Sequence, residues 1–256
     1  MKTIVIVGGG FSGTIAAVNL ARLANDPLRV VIVNTSRPLG RGTAYSTTRN
    51  EHLLNVAARN MSALPDYPEH FLGWLRSRSE FSNLTDHELR EMYVPRKIYG
   101  DYLCGLLATC QQPIDARCNV TVQTIDDQVV DIVVASDEPV QVCLESGESI
   151  DANQVLLATG NQPPGSFPSD ALLSHDPRYR SDDLDMRLQV NDQFAVIESN
   201  GQPSRWMFTM GPLLKGSLWE TTAVSELRGQ AMRIAEILLE RAPVEVPQQG
   251  VLEYYI

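Results

Sequence analysis

The chain has 256 residues, enough for one large domain or two small ones, and its 43% hydrophobic and 20% charged residues are ordinary for a globular protein. A net charge of −10 argues against nucleic acid or an anionic membrane as main partner, yet leaves a phosphate ligand open, because screening acts over about 8 Å and local N–H groups decide that contact. No apolar run approaches the ~18 residues of a membrane span, and the first apolar run passes into glycines without a cleavage pattern, so neither a membrane segment nor a signal peptide is expected.

Thr3-Ile4-Val5-Ile6-Val7 is apolar and rich in β-branched residues, which predicts a strand. Gly8-Gly9-Gly10-Phe11-Ser12-Gly13 follows at once. Thr14 to Leu23 then carries Ile15, Val18 and Leu23 at roughly helical spacing, and Val30-Val31-Ile32-Val33 predicts a second strand that ends at Asn34. Gly8, Gly10 and Gly13 occupy the G-x-G-x-x-G positions of a dinucleotide fold. They serve a tight turn, backbone approach to a pyrophosphate, and close helix–strand packing. The helix N-terminus offers free N–H groups to an anion. Strand, turn, helix and strand at these distances make nucleotide binding the reading. The ribose position at the end of the second strand usually carries Asp or Glu. Here it is Asn34, which can bond a hydroxyl but brings no charge. The motif alone does not separate FAD from NAD.

Ser36 to Asn60 predicts loop with short extended pieces, a length unusual unless functional. Glu69 to Arg78 predicts a helix with Phe71, Trp74 and Leu75 on one face. Thr85-Asp86-His87-Glu88 has capping-box spacing, and Pro95 opens a longer helix on which Ile98, Tyr102 and Leu106 recur every four residues. Asn119 to Ala135 switches to strands, Val140 to Leu144 alternates, Gly147 turns, and Gln154 to Ala158 is a buried strand ended by Thr159-Gly160. Asn161 to Gln189 reads as linker or surface loop. Ala195 to Glu198 and Arg205 to Met210 form a hairpin around Asn200-Gly201, and Gly211 to Gly216 is a turn. Thr222 to Glu240 is a helix with a core stripe of Val224, Leu227, Ala231, Ile234 and Leu238.

One nucleotide fingerprint is present, not two: Gly40-Arg41-Gly42 lacks a third glycine, and Gly211 and Gly216 stand too far apart. Cys104, Cys110, Cys118 and Cys143 fit neither a zinc site nor a disulfide framework, so thiols in a reducing cytoplasm are the expectation. His52, His70, His87 and His175 are scattered, no metal cluster emerges, and no catalytic acid or base is nominated.

Several stretches together resemble the bacterial FAD/NAD(P)-binding protein family of two-dinucleotide-fold flavoproteins, distantly similar to flavin-dependent monooxygenases. They are Gly8 to Gly13, Leu39 to Tyr45, His52 to Val56, Met61-Ser62, Val94 to Gly100, Ala158-Thr159-Gly160 and, most specifically, Gly211 to Val224. The resemblance implies an α/β Rossmann-like FAD-binding fold, a parallel sheet in a three-layer ββα sandwich, with a helical excursion over about 66–111 and a β-meander. It implies FAD as cofactor. The pyrophosphate would sit on Gly10, Phe11, Ser12 and Gly13, with adenosine near Asn34 and the Val129 strand. Ala158, Thr159 and Gly160 would pass the cofactor. Gly211 and Trp219 to Ala223, including Glu220 and Thr221, would reach the ribityl chain and ring. Arg41, Gly42, Tyr45, Asn55, Met61 and Ser62 would wall the other side.

Family members normally insert a second nucleotide-binding lobe between Ala158-Thr159-Gly160 and the final Gly-Pro turn. Here only about fifty residues separate them. The expectation is a single FAD-binding domain over 1–256, with a linker at about 161–190 where an NAD(P)H lobe would stand. Three functions follow as candidates: an FAD-dependent oxidoreductase reduced by an external donor such as NAD(P)H; a flavin-binding protein without turnover; or an NAD(P)-binding Rossmann protein. The substrate is not written in the sequence.

Overall fold

The computed structural model describes residues 1–35, 38–111, 120–134, 139–160, 178–180, 188–214 and 222–244. The strands among them are β1 (Lys2–Val7), β2 (Leu28–Asn34), β3 (Val120–Asp126), β4 (Val129–Val133), β5 (Val140–Leu144), β6 (Ser149–Ala152), β7 (Gln154–Leu157), β8 (Ala195–Ile197) and β9 (Pro203–Thr209). The α-helices are α1 (Phe11–Leu23), α2 (Gly42–Tyr45), α3 (His70–Arg76), α4 (Asp86–Glu91), α5 (Arg96–Gln111) and α6 (Val224–Leu238).

Six strands form one sheet in the order β3-β2-β1-β7-β9-β8. Five run parallel, and only β8 opposes its neighbour β9. A second sheet, β4-β5-β6, is an antiparallel meander. The sequence reason for the layering lies in alternate residues of the central strands. Ile4 and Ile6 of β1, Val30 and Ile32 of β2, Val122, Leu156 and Phe208 share a core with Ile15, Leu20, Leu103, Ala231 and Ile234 of the helices. Their neighbours Val5, Val31, Val33, Val155, Leu157 and Met207 share another core with Ile132, Val142, Leu144 and Ile150 of the meander. A strand covered on both faces must be apolar at every position, and Ile4 to Ile6 and Val30 to Ile32 are fully buried. The meander strand β5 is covered on one face only and alternates. The result is the expected Rossmann-like sheet in a three-layer ββα sandwich.

Helix α1 fills the middle of the helical layer, against α6 on one flank and α5 on another. Ala16 and Ala17 are fully buried there. The stripe expected on the last helix is present, with Leu227, Ala231, Ile234 and Leu238 buried and Val224 partly so. The capping box at Thr85 is complete: Glu88 N–H donates to Thr85 Oγ1 at 3.3 Å, and Thr85 N–H donates to the Glu88 carboxylate at 2.8 Å. The helical excursion holds a cluster of Phe71, Trp74, Tyr99 and Tyr102, with neighbouring ring centroids 4.9 to 6.1 Å apart.

Two local expectations are revised. The stretch 36–60 is not only loop: it contains the single turn α2, a 3₁₀ turn at Ala58–Asn60 and a bridge from Leu53 to Pro95. Strand β6 lies between Gly147 and β7, where only a turn was expected; four residues alternating exposed and buried are too short a pattern to read. Most of the expected linker at 161–190 falls outside the described residues. Two short pieces of it pair with the β8 hairpin, Tyr179 with Glu198 and Val190 with Val196. Among the described residues no helix is long and apolar enough to cross a membrane.

His70 opens α3, and its Nδ1 lies 3.0 Å from the Tyr102 hydroxyl. Burial, then the Arg22 charge, lowers its pKa against the opposing pull of Asp66. The unfolded chain therefore binds this proton more readily than the folded one. Its contribution is complete above the unfolded value and is lost as pH falls below about 6.5. Thermal melts between pH 7.5 and 5.5 should show the melting temperature falling with pH, and His70→Gln should flatten that slope.

Candidate functional site

The carboxyl ends of the parallel strands gather the expected motifs. In an open α/β sheet the crevice for a ligand lies at those ends, where successive connections leave a strand in opposite directions. Here that point is β1, with β2 on one side and β7 on the other.

The glycine turn is held from three sides. A Cβ on Gly13 would stand 1.9 Å from the Gly8 carbonyl oxygen, so α1 lies directly on the turn. Gly8 adopts φ +105°, and a Cβ there would meet the Ala158 carbonyl at 2.6 Å. Gly10 differs. Its backbone is extended, φ −77° and ψ −159°, and among the described residues a Cβ would touch only Gly42 Cα, at an ordinary 3.5 Å. Packing among the described residues does not require glycine at position 10. Glycine at this position is what close backbone approach by a dinucleotide would need. The first bond of α1 is Thr14 N–H to Gly10 O at 3.0 Å, so the N–H groups of Phe11, Ser12 and Gly13 precede the helical ladder.

The other motifs meet this turn. Ala158 N–H donates to Val7 O at 2.9 Å, which sets Ala158-Thr159-Gly160 beside Gly8. Gly211 lies against Ser12, since a Cβ on it would be 3.4 Å from Ser12 Oγ, and its N–H donates to Gln230 Oε1 of α6 at 3.2 Å. Ala223 is the N-cap of α6. Trp219, Glu220 and Thr221 lie outside the described residues. Asn34 pairs with Asp126 at the end of β3, and Val129 starts the meander three residues later.

The expected wall is divided. Gly42 touches Gly10, its Cβ position being 3.1 Å from Gly10 Cα. Tyr45 is buried, 6.3 Å from the Phe11 ring and 4.8 Å from that of Tyr99. Arg41 is anchored on α5: it donates to Lys97 O at 3.0 Å and pairs with Asp101. Met61 and Ser62 are interior. Met61 belongs to the helical core. Ser62 Oγ donates to Tyr67 O at 2.7 Å, and the Ser62 carbonyl accepts from the buried Arg228 guanidinium at 2.8 Å. Asn55 is exposed.

Sequence reading did not single out Gly9. A Cβ there would stand 2.5 Å from Leu39 Cδ2, and its carbonyl accepts from Gly40 N–H at 2.8 Å. The run of three glycines was the available signal. It also missed Gly100, whose Cβ would strike Arg41 at 2.5 Å and the Tyr45 carbonyl at 2.7 Å.

Burial pushes the Tyr45 and Tyr102 phenols up to about 12 and Tyr99 well above its ordinary value. All three stay protonated at neutral pH and serve as packing groups, not as bases, and the Tyr102 hydroxyl accepts from Ala63 N–H at 3.3 Å. Cys104 donates to Leu39 O at 3.2 Å, and burial raises its thiol pKa. Cys104, Cys110 and Cys143 are free thiols, and Cys118 and His175 lie outside the described residues. Among the described residues no three His, Cys, Asp or Glu side chains are grouped to hold a metal.

Residues 5–162 match the FAD-NAD(P)-binding family. The chain belongs to that family. The match spans the turn, the wall segments and the parallel β3-β2-β1-β7 run except the start of β1. Among solved structures, a GidA-related protein from Thermus thermophilus is similar over 93% of this chain and 98% of its own, at 13% identity and a TM-score of 0.50. A flavin-containing monooxygenase from Stenotrophomonas maltophilia aligns at 19% identity and a TM-score of 0.41, over 74% of this chain and 45% of its own. An S-allyl-L-cysteine S-oxygenase from Allium sativum aligns at 16% and 0.42, over 63% and 36%. The chain thus spans less than half the length of these two oxygenases. No curated protein matches the sequence.

The different roles of the glycines are separable. Gly10→Ala should fold, melting within about 5 °C of the parent, while losing at least about tenfold in ADP affinity by titration calorimetry. Gly13→Ala should yield little folded protein, because backbone cannot vacate a 1.9 Å overlap.

Proposed function

We propose that the chain is an FAD-binding flavoprotein and an oxidoreductase whose flavin is reduced by an external donor: a separate reductase, a free reduced nicotinamide, or the substrate. The observation that carries this reading is the contact of Gly211 with Ser12, which brings the C-terminal motif onto the N-terminal turn. A nicotinamide dinucleotide held by β1-α1-β2 alone would give the Gly211 segment no ligand to meet.

The residues present fit the cofactor. The N–H groups of Phe11 and Ser12 would hold the pyrophosphate, approached across Gly10. Asn34 and the start of β4 would border the adenosine. Ala158, Thr159 and Gly160 would lie along the dinucleotide, and Gly211 with Trp219 to Ala223 would reach the ribityl chain and ring. Gly42, with Tyr45 behind it, would close the opposite side. Arg41, Met61 and Ser62 would support that wall from behind, and Asn55 would stand at its rim. A bound flavin supplies hydride or two-electron transfer. The protein's part is to hold the dinucleotide and exclude water from it. The helix N-terminus contributes only about 0.3–1 kcal/mol, up to ~2 when partly buried. Micromolar affinity needs about 8. Adenine and ring burial must therefore provide most of the binding.

We place the whole chain in one FAD-binding domain without an NAD(P)H lobe. The likeness to the GidA-related protein over nearly all of both chains supports one fold throughout.

Purified protein should be yellow, with flavin absorption in the blue. Gly10→Val and Trp219→Ala should each weaken FAD retention by about tenfold or more. Full flavin content in both variants, or a nicotinamide dinucleotide bound in place of flavin, would reject the assignment.

A further inference from the structure

We propose that Asn34 is a positioning residue for the glycine turn and gives the ribose hydroxyls of the dinucleotide neither an acceptor oxygen nor a charge. The proposal rests on the dinucleotide site described above and specifies how its adenosine end works. Asn34 ends β2, and its Oδ1 accepts the Gly9 N–H at 2.9 Å. The side chain lies flat on the turn, since a Cβ on Gly9 would be 3.0 Å from both Asn34 Cβ and Cγ. The opposite face of the same residue is held too. The Gly9 carbonyl accepts from Gly40 N–H at 2.8 Å and from Thr14 Oγ1 at 3.4 Å. Gly9 is thus gripped by β2, by the Leu39–Gly42 segment and by α1, which fixes the direction of the Phe11 and Ser12 N–H groups.

Chemistry sets the orientation of the Asn34 amide. Only its oxygen can accept the Gly9 N–H; the reversed amide would oppose two donors. Nδ2 therefore occupies the second position and donates to Thr35 O at 2.9 Å. An aspartate or glutamate here has a second acceptor oxygen and a charge with which to hold a ribose hydroxyl. Asparagine keeps the grip on Gly9 and replaces that second acceptor and its charge with an NH2 group, one of whose hydrogens is given to the Thr35 carbonyl.

Titration calorimetry with ADP and 2′,3′-dideoxy-ADP on the full chain, stripped of nucleotide, tests this directly. The parent should bind both within about threefold, and Asn34→Ala should weaken both equally, by about five- to tenfold. Amide hydrogen exchange at Gly9 should accelerate in Asn34→Ala and return to slow in Asn34→Asp. Asn34→Asp, which keeps the acceptor and adds another, should acquire a preference for ADP. A parent that prefers ADP by about tenfold or more, an Asn34→Ala loss confined to ADP, or unchanged Gly9 exchange in Asn34→Ala would overturn the proposal and leave the dinucleotide site standing. A parent that binds neither nucleotide would overturn both.

Discussion

The structure depends on one steric constraint: α1 begins in contact with the turn that ends β1. The Gly8 carbonyl oxygen occupies the space where any side chain on residue 13 would start. With that contact made, the helix is held against the strand and its first N–H groups face the carboxyl edge of the sheet. Ala158 closes on Gly8 from β7, Gly40 bonds to Gly9 from the segment after β2, and Gly211 closes on Ser12 from the far end of the chain. Each of these neighbours is itself brought by a strand of the same sheet, or by the segment that leaves one. The site is therefore a consequence of strand order, and its stability is that of the sheet.

Two layers compete for the sheet, and alternate side chains divide it between them. The helical layer takes Ile4, Ile6, Val30 and Ile32, and the meander takes Val5, Val31 and Val33. Neither cover can be removed without exposing a continuous row of β-branched side chains, each contributing about 1.5–3 kcal/mol when buried. The helical excursion has a more local duty. Its aromatic cluster and α5 anchor Arg41 and Tyr45, so the segment beside the glycine turn is supported from behind by residues some sixty positions later, as in the Arg41–Asp101 pair.

The parts legible in the sequence are those fixed by local chemistry. The β1-turn-α1-β2 unit is written in consecutive residues. Thr85 and Glu88 cap each other across three positions, and Ile98, Tyr102 and Leu106 mark one face of a single helix. The parts that were not legible are set by tertiary packing. Met61 and Ser62 are expected in the wall, but their side chains are drawn inward by the core and by the Tyr67 carbonyl. Arg41 is expected in the wall by its place in sequence, and its guanidinium is instead turned to Asp101 and the Lys97 carbonyl of α5. Asn34 occupies the ribose position by sequence count, while its oxygen turns to Gly9 instead. Loop residues of this kind declare their position readily and their direction only after the fold is known.

The central claim is that the N-terminal glycine turn and the Gly211 segment close around one flavin dinucleotide. A crystal structure of the protein with its copurified ligand tests it most directly. The account predicts an FAD with its pyrophosphate on the Phe11 and Ser12 N–H groups and its ring beside the chain that follows Gly211. A ligand bound away from the carboxyl edge of β1, or a dinucleotide that meets the glycine turn and leaves the Gly211 segment untouched, would contradict it.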